Sequence, residues 1–240
     1  MWHWSHRQVG GTPHPPARSA GVALVRAGGK DVVVLCGGMG NGERLNRQAH
    51  CAQLPEAGGA LDWSLLARDP KLARHDHSLT AVDGRLVLFG GCRNHRFLSD
   101  ALEIEPGASA PLRPLPCTGD LPRPRSNHTL VLLRGALWLF GGCRLDRDPA
   151  VLYDDLLVLE GQAWRRVSAS SPPPARSGHS CVMWSDSLVV FGGWDGDRLL
   201  QDVWRCDGDH WYALLVTGMP PQARACHTAT LLCGDRMVVV

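Results

Sequence analysis

A short block returns along the chain at a nearly fixed interval. Residues 86–91 read LVLFGG, 137–142 LWLFGG and 188–193 LVVFGG, with a weaker copy, VVLCGG, at 33–38. The first glycines stand at 37, 90, 141 and 192, so the steps are 53, 51 and 51 residues. A period of this size marks stacked supersecondary units, none of which can bury its apolar face alone. The chain is thereby constrained to a scaffold of like units, and such a scaffold presents a surface more readily than a reaction centre.

A second marker keeps the same interval. Arg18, Arg74, Arg125, Arg176 and Arg224 open the blocks ARSAG, ARHDHS, PRSNHT, ARSGHS and ARACHT, with prolines just upstream. Trp63, Trp164 and Trp211 precede Arg74, Arg176 and Arg224 by 11 to 13 residues, and Trp4 stands 14 before Arg18. Before Arg125 the aromatic place is taken by Leu112 or Leu115.

One unit reads as four short strands. After Arg176 a mostly apolar run, 179–184, reaches the turn residues Ser185-Asp186-Ser187. Residues 188–191 are apolar at every position, which suits a strand buried on both faces. Gly192-Gly193 ends it, a polar loop at 194–198 follows, then a strand at 200–206 and a last one around Trp211. In the second unit Val82-Asp83-Gly84-Arg85 is a hairpin turn between strands one and two. No window holds a helical period. Repeated four-stranded antiparallel units are the signature of propeller blades.

The His after Arg, the double Gly closing strand two, the Asp of strand three and the Trp of strand four together resemble the kelch motif, over essentially the whole chain. The fold expected is all-β, a kelch-type propeller of four full four-stranded blades with partial blades at both ends. The units fall at 15–65, 70–116, 122–167 and 173–214, with a partial one at 220–240. Unit one departs most: it has no His after Arg18, Cys36 where the others have Phe, and Arg47 where they have Asp100, Asp155 and Asp202. Kelch-like propellers generally close with six or seven blades. A fragment of a longer protein is therefore expected, with Trp4 in strand four of a preceding blade.

The 44% apolar content of 240 residues suffices for a large core, and the longest apolar runs are strand-length, so no membrane span is expected. A net charge of +2 argues neither for nor against nucleic acid, and none is expected as partner. The N-terminus lacks the apolar core of a signal peptide. Nine cysteines without CxxC spacing, several (Cys36, Cys181, Cys233) in strand runs, point to reduced thiols in cytoplasm or nucleus.

His77, His128, His179 and His227 form a repeated series, but residues of successive blades are carried round a ring, whereas metal ligands must converge on one ion. They read as hydrogen-bonding groups within or between blades. Each repeated Arg reads as a buried or half-buried charge tying the loop between strands four and one to its neighbour. His3 with His6 and His75 with His77 lack a completing ligand set, so no cofactor or metal is expected. Enzymatic propellers need more than is present: only Tyr153 and Tyr212 are available for a galactose-oxidase-like copper site. A nitrile-specifier-like iron set is missing, and the repeated arginines mimic a sialidase trio only superficially. No GxSxG, P-loop or HExxH occurs.

The expectation is a non-enzymatic protein-interaction module. In an up-and-down meander the loop after each Gly-Gly and the loop carrying each Arg block emerge on the same face. The resemblance to kelch-like substrate receptors of ubiquitin ligases implicates Arg93, Asn94, Arg144, Trp194, Asp195, Asp76 and Asn127 there, and a cytoskeletal or actin-binding scaffold is the alternative. The partner expected is a protein or peptide carrying acidic residues, held by units one and two. Their loops after the glycine pairs hold Arg44, Arg93 and Arg96 with His95, against Glu43. The corresponding loops of units three and four mix Arg144 and Arg147 with Asp146 and Asp148, and Arg198 with Asp195 and Asp197.

Overall fold

Every unit opens with a hairpin, because its first two apolar runs are separated by two residues that adopt positive φ. The computed structural model describes residues 18–40, 44–55, 60–146, 149–232 and 236–240. In unit one β1 (Gly21–Ala27) turns at Gly28-Gly29 into β2 (Lys30–Cys36), and β3 (Gln48–Gln53) and β4 (Ser64–Arg68) complete the sheet. After a single 3-10 turn at Pro70–Leu72, β5 (Ser78–Val82) turns at Asp83-Gly84 into β6 (Arg85–Phe89). A small hairpin of β7 (Cys92–Arg93) and β8 (Arg96–Phe97) follows, then β9 (Ala101–Ile104) and β10 (Leu112–Pro114).

Unit three repeats the plan. β11 (Thr118–Gly119) leads to β12 (Thr129–Leu133), β13 (Ala136–Phe140), a hairpin of β14 (Cys143–Arg144) and β15 (Val151–Leu152), then β16 (Leu156–Glu160) and β17 (Ala163–Val167). Unit four comprises β18 (Ser180–Trp184), β19 (Ser187–Trp194), β20 (Leu199–Cys206) and β21 (Trp211–Leu214). A last pair, β22 (Ala229–Leu232) and β23 (Arg236–Val239), follows. Each full unit is a four-stranded antiparallel sheet in sequential order, and β11 adds a parallel edge to the third. The innermost strands β1, β5, β12, β18 and β22 adjoin one another in turn, which is propeller geometry. The expected four blades and a final partial blade are present. Trp4 and the opening strand expected around it lie outside the described residues.

Strand two of each unit is buried on both faces, as its unbroken apolar run requires. Successive side chains point to opposite faces of a strand, so Leu86 and Leu88 join the core against unit one, while Val87 and Phe89 join the core against unit three. One unit on, Leu137 and Leu139 face unit two, and Trp138 and Phe140 face unit four. The run in unit one departs from the expected full burial only at Val33, which is half-buried. In unit four β19 continues through the glycine pair to Trp194 by way of a bulge, where the sequence pattern ends it at Gly192.

The double glycine is what lets blades close on one another. A Cβ on Gly37, Gly90, Gly141 or Gly192 would come within 2.8–2.9 Å of the carbonyl oxygen of Arg74, Arg125, Arg176 or Arg224 in the next unit. The second glycine of each pair donates its N–H to that same carbonyl, at 2.7–2.9 Å. Both glycines have positive φ, 62–105° along the four pairs, a region a side chain disfavours.

A second inter-blade link runs nearer the axis. Cys226 N–H donates to Gly178 C=O, Gly178 to Asn127, Asn127 to Asp76 and Asp76 to Ser19, at 2.7–3.1 Å. All five residues are left-handed, with φ of 53–64°.

Candidate functional site

The repeated charged motif is structural within each blade. The guanidinium of Arg74 is fully buried and grips Asp100 through two hydrogen bonds of 2.8 Å, with a third to Gly90 C=O at 2.9 Å. Arg125 holds Asp155 at 2.6 and 2.8 Å and Gly141 C=O, and Arg176 holds Asp202 at 2.7 and 2.8 Å and Gly192 C=O. A planar guanidinium meeting a carboxylate with two parallel bonds is the strongest form of this pair. Burial pushes the Asp100 and Asp202 carboxyls up, but the arginine bonds outweigh it and hold both below the usual range. The side chain therefore fastens strand one to strand three of its own blade. It is the arginine's backbone carbonyl, clasped by glycine, that ties the loop to its neighbour.

Unit one is offset by one residue from its sequence match. Arg18 exchanges backbone bonds with Met39 as His75 does with Cys92 and Ser126 with Cys143, so Arg18 occupies the place after the arginine. In sequence register this leaves Ala17, outside the described residues, opposite Arg74. Gly37 N–H donates to Gln48 C=O as Gly90 does to Asp100, so Gln48 and not Arg47 takes the aspartate's place. The first hairpin is longer, with strands of seven residues where those of unit two have five, and the loop after the glycine pair is longer by one, Gln48 standing 11 residues after Gly37 where Asp100 stands 10 after Gly90.

Three of the four histidines of the series link blades, as expected, while neither ring nitrogen of His77 has a hydrogen bond among the described residues. Nε2 of His128, His179 and His227 meets the hydroxyl of Ser78, Thr129 and Ser180 in the preceding unit, at 3.0, 3.0 and 2.8 Å. Burial, followed by the charge of the nearby Arg176, pushes His179 down to about 3; burial with Arg74 does the same to His77. Among the described residues no group of three or more His, Cys, Asp or Glu could hold a metal ion. Tyr153 lies over Arg125 at 4.1 Å and donates to Pro124 C=O, and Tyr212 donates to Asp207.

The seven residues implicated at the loop face have distinct settings. Arg93 is half-buried, with Nε donating to Ala73 C=O and Nη2 to Lys71 C=O, both at 3.0 Å. Burial, then repulsion from Arg74, lowers its pKa. Asn94 sits beside it in the two-residue turn of the β7–β8 hairpin, at φ 46°. Asp76 pairs with His75 at 2.7 Å, a contact that pushes His75 up to about 10, and Asn127 follows Asp76 along the axial chain of bonds. Arg144 is engaged by Asp146 of its own loop at 2.6 and 3.1 Å. Asp195 caps its loop by accepting the N–H groups of Asp197 and Arg198, and Trp194 bridges backbone to Ser177.

Arg93 and Asn94 of the seven line a common cleft. It has a volume of about 510 Å³ and is walled by Arg44, Leu45 and Arg47 of unit one, Pro70 and Ala73 of the connecting loop, and Arg93 and Asn94 of unit two. Arg44 and Arg47 are exposed, and neither pairs with a carboxylate among the described residues. Glu43, the one acid expected beside them, lies outside the described residues, as do Arg147 and Asp148. Arg47 was legible only as a departure from the repeat; that it shares a cleft with Arg93 needed the packing of two units.

The sequence profile of the KLHDC2/KLHL20/DRC7 Kelch-repeats domain matches residues 1–160 and again 108–240. The chain is 30% identical over 262 residues to putative adagio-like protein 2 of Oryza sativa subsp. japonica, covering 98% of this chain and 40% of that protein. It is 25% identical over 242 residues to the human Kelch domain-containing protein 10, covering 96% of this chain and 53% of that one. A third similarity, 33% over 129 residues, is to the flagellar outer arm dynein alpha chain of Chlamydomonas reinhardtii, and covers 50% of this chain and 3% of the dynein.

Proposed function

The chain belongs to the kelch-repeat family of protein-interaction propellers, and from that premise we propose that its loop face receives an acidic segment of a protein partner. The observation that carries this reading is the uneven pairing of arginines. Arg144 of unit three and Arg198 of unit four are met by Asp146 and Asp195 within their own loops, whereas Arg44, Arg47 and Arg93 share a cleft without such a partner among the described residues. Charge of one sign on a rim raises the encounter rate and makes binding fall with salt.

The wider role proposed is substrate recognition for a ubiquitin ligase in cytoplasm or nucleus, with no catalytic part for this chain. A cytoskeletal scaffold is the second reading, favoured by the similarity to a flagellar dynein chain. Affinity capture with the full-length protein, scored for cullin and its adaptors against actin and dynein subunits, separates the two. Cullin retention is expected, and its absence alongside cytoskeletal subunits would replace the first reading by the second. Reversing Arg93 and Arg144 together should weaken the captured partner by about 2 kcal/mol if they sit at a hot spot. Unchanged capture by a folded double variant would misplace the face.

A further inference from the structure

We infer that the cleft between units one and two is a phosphoresidue pocket, in which Arg44, Arg47 and Arg93 hold the phosphate of a phosphorylated serine or threonine in a peptide. This rests on the reading above, that the loop face takes an anionic segment, and it names the anion.

The argument starts from stoichiometry of charge. One carboxylate carries a single negative charge and two oxygens, and one guanidinium satisfies both with its planar fork. Three guanidiniums around it would leave two cations facing each other across a partly desolvated cleft. A phosphomonoester carries a charge of about −1.5 to −2 near neutral pH and three acceptor oxygens. It matches three arginines in both respects.

Asp100 and Asp69 offset part of the charge of Arg93, but among the described residues neither forms an ion pair with it or with Arg44 or Arg47. Asp100 is held by Arg74 through both oxygens, and Asp69 accepts the backbone N–H of Lys71 at 2.7 Å. Arg93 is also fixed in advance, since its bonds to Ala73 C=O and Lys71 C=O restrain the side chain before any ligand arrives. Its partial burial strengthens any charge-assisted bond it makes. Asn94 adds an amide at the same wall, and Pro70 and Ala73 give a small apolar floor for the methylene of a serine or the methyl of a threonine. A volume of about 510 Å³ exceeds what a bare ion fills and suits a side chain with part of its backbone.

The third unit shows why the pocket is peculiar to this joint. There Tyr153 covers Arg125 and bonds to Pro124 C=O, and Arg144 is taken by Asp146.

The test is a titration of the purified chain with the N-acetyl, N-methylamide derivatives of phosphoserine and glutamate and with inorganic phosphate. It is followed by calorimetry and, for the phosphorus compounds, by ³¹P line broadening. Phosphoserine amide should bind at least tenfold tighter than either other compound. Arg44→Gln and Arg47→Gln, exposed positions whose loss does not threaten folding, should each weaken it at least fivefold, and Arg165→Gln, on an outer strand away from the loop face, should leave it unchanged. Equal affinity for glutamate amide would overturn the phosphate assignment while leaving an acidic partner standing. Equal affinity for inorganic phosphate would reduce the cleft to an ion site only and overturn it too. Failure of all three to bind would overturn it, and would remove the acidic-partner reading as well if reversal of Arg93 also left the captured partner unaffected.

Discussion

Between units three and four, Phe140 packs on Trp211 with ring centroids 4.7 Å apart, and His179 reaches Thr129 at 3.0 Å. Between units one and two the same places hold Cys36, Leu112 and, opposite His77, Gly21, with Leu72 of the connecting turn filling the core. The staple differs in the same way. Unit three carries Arg125 with Asp155, while unit one has Gln48 at the aspartate and Ala17 in register with the arginine. The partners disappear in sets, aromatic with aromatic and cation with anion. That follows from the physics of burial, because removing one member of a buried ion pair strands the other, whereas removing both does not. His77 is the exception: its Nε2 has no hydrogen bond among the described residues and lies 2.8 Å from where a Cβ on Gly21 would stand.

The largest effect expected tests that rule. Asp155→Ala strands a guanidinium that is fully buried, and should cost about 3–5 kcal/mol in denaturant unfolding. Copying unit one, with Arg125→Ala and Asp155→Gln together, should recover about 1–3 kcal/mol relative to the sum of the single changes. Strict additivity would mean that the staple is not a unit, and that unit one gained nothing by losing both halves.

Acid should act on both joints alike, because each buries a neutral histidine. His77 and His179 are pushed down to about 3 in the folded chain, while an unfolded histidine takes up its proton near 6.5. Their contribution is therefore complete above about pH 6.5 and lost as pH falls toward 3. By about pH 5 the loss should approach ~2 kcal/mol per histidine. The aspartates held by Arg74 and Arg176 add to it only at lower pH. Equal unfolding midpoints at pH 7 and pH 5 would contradict the burial of these rings.

The smallest effect isolates the hydroxyl. Thr129→Val leaves His179 as His77 already is, and should cost about 1 kcal/mol. If the variant is as stable as the parent, the missing hydroxyl does not distinguish the two joints.

Much of this was readable in the chain. The glycine pairs fix where strand two ends, and the Asp83-Gly84 turn fixes the hairpin, because both demand positive φ that few residues adopt. Unit one misled by one residue because its longer first hairpin shifts Arg18 and a longer loop after the glycine pair shifts Arg47 against the motif, and a regular period cannot register a local insertion. The surplus of arginine in the loops was legible as composition. Its gathering into one cleft was not, since Arg47 and Arg93 meet only when two blades pack.

The axial chain through Ser19, Asp76, Asn127, Gly178 and Cys226 has a consequence for how such a molecule changes over generations. Every link uses main-chain atoms, so the inner wall keeps its form whichever side chain each blade contributes. The five positions already display a hydroxyl, a carboxylate, an amide, a hydrogen and a thiol on one unaltered backbone. Within the limits of left-handed geometry, a lineage can rewrite what this row of residues offers one blade at a time, with the frame never rebuilt.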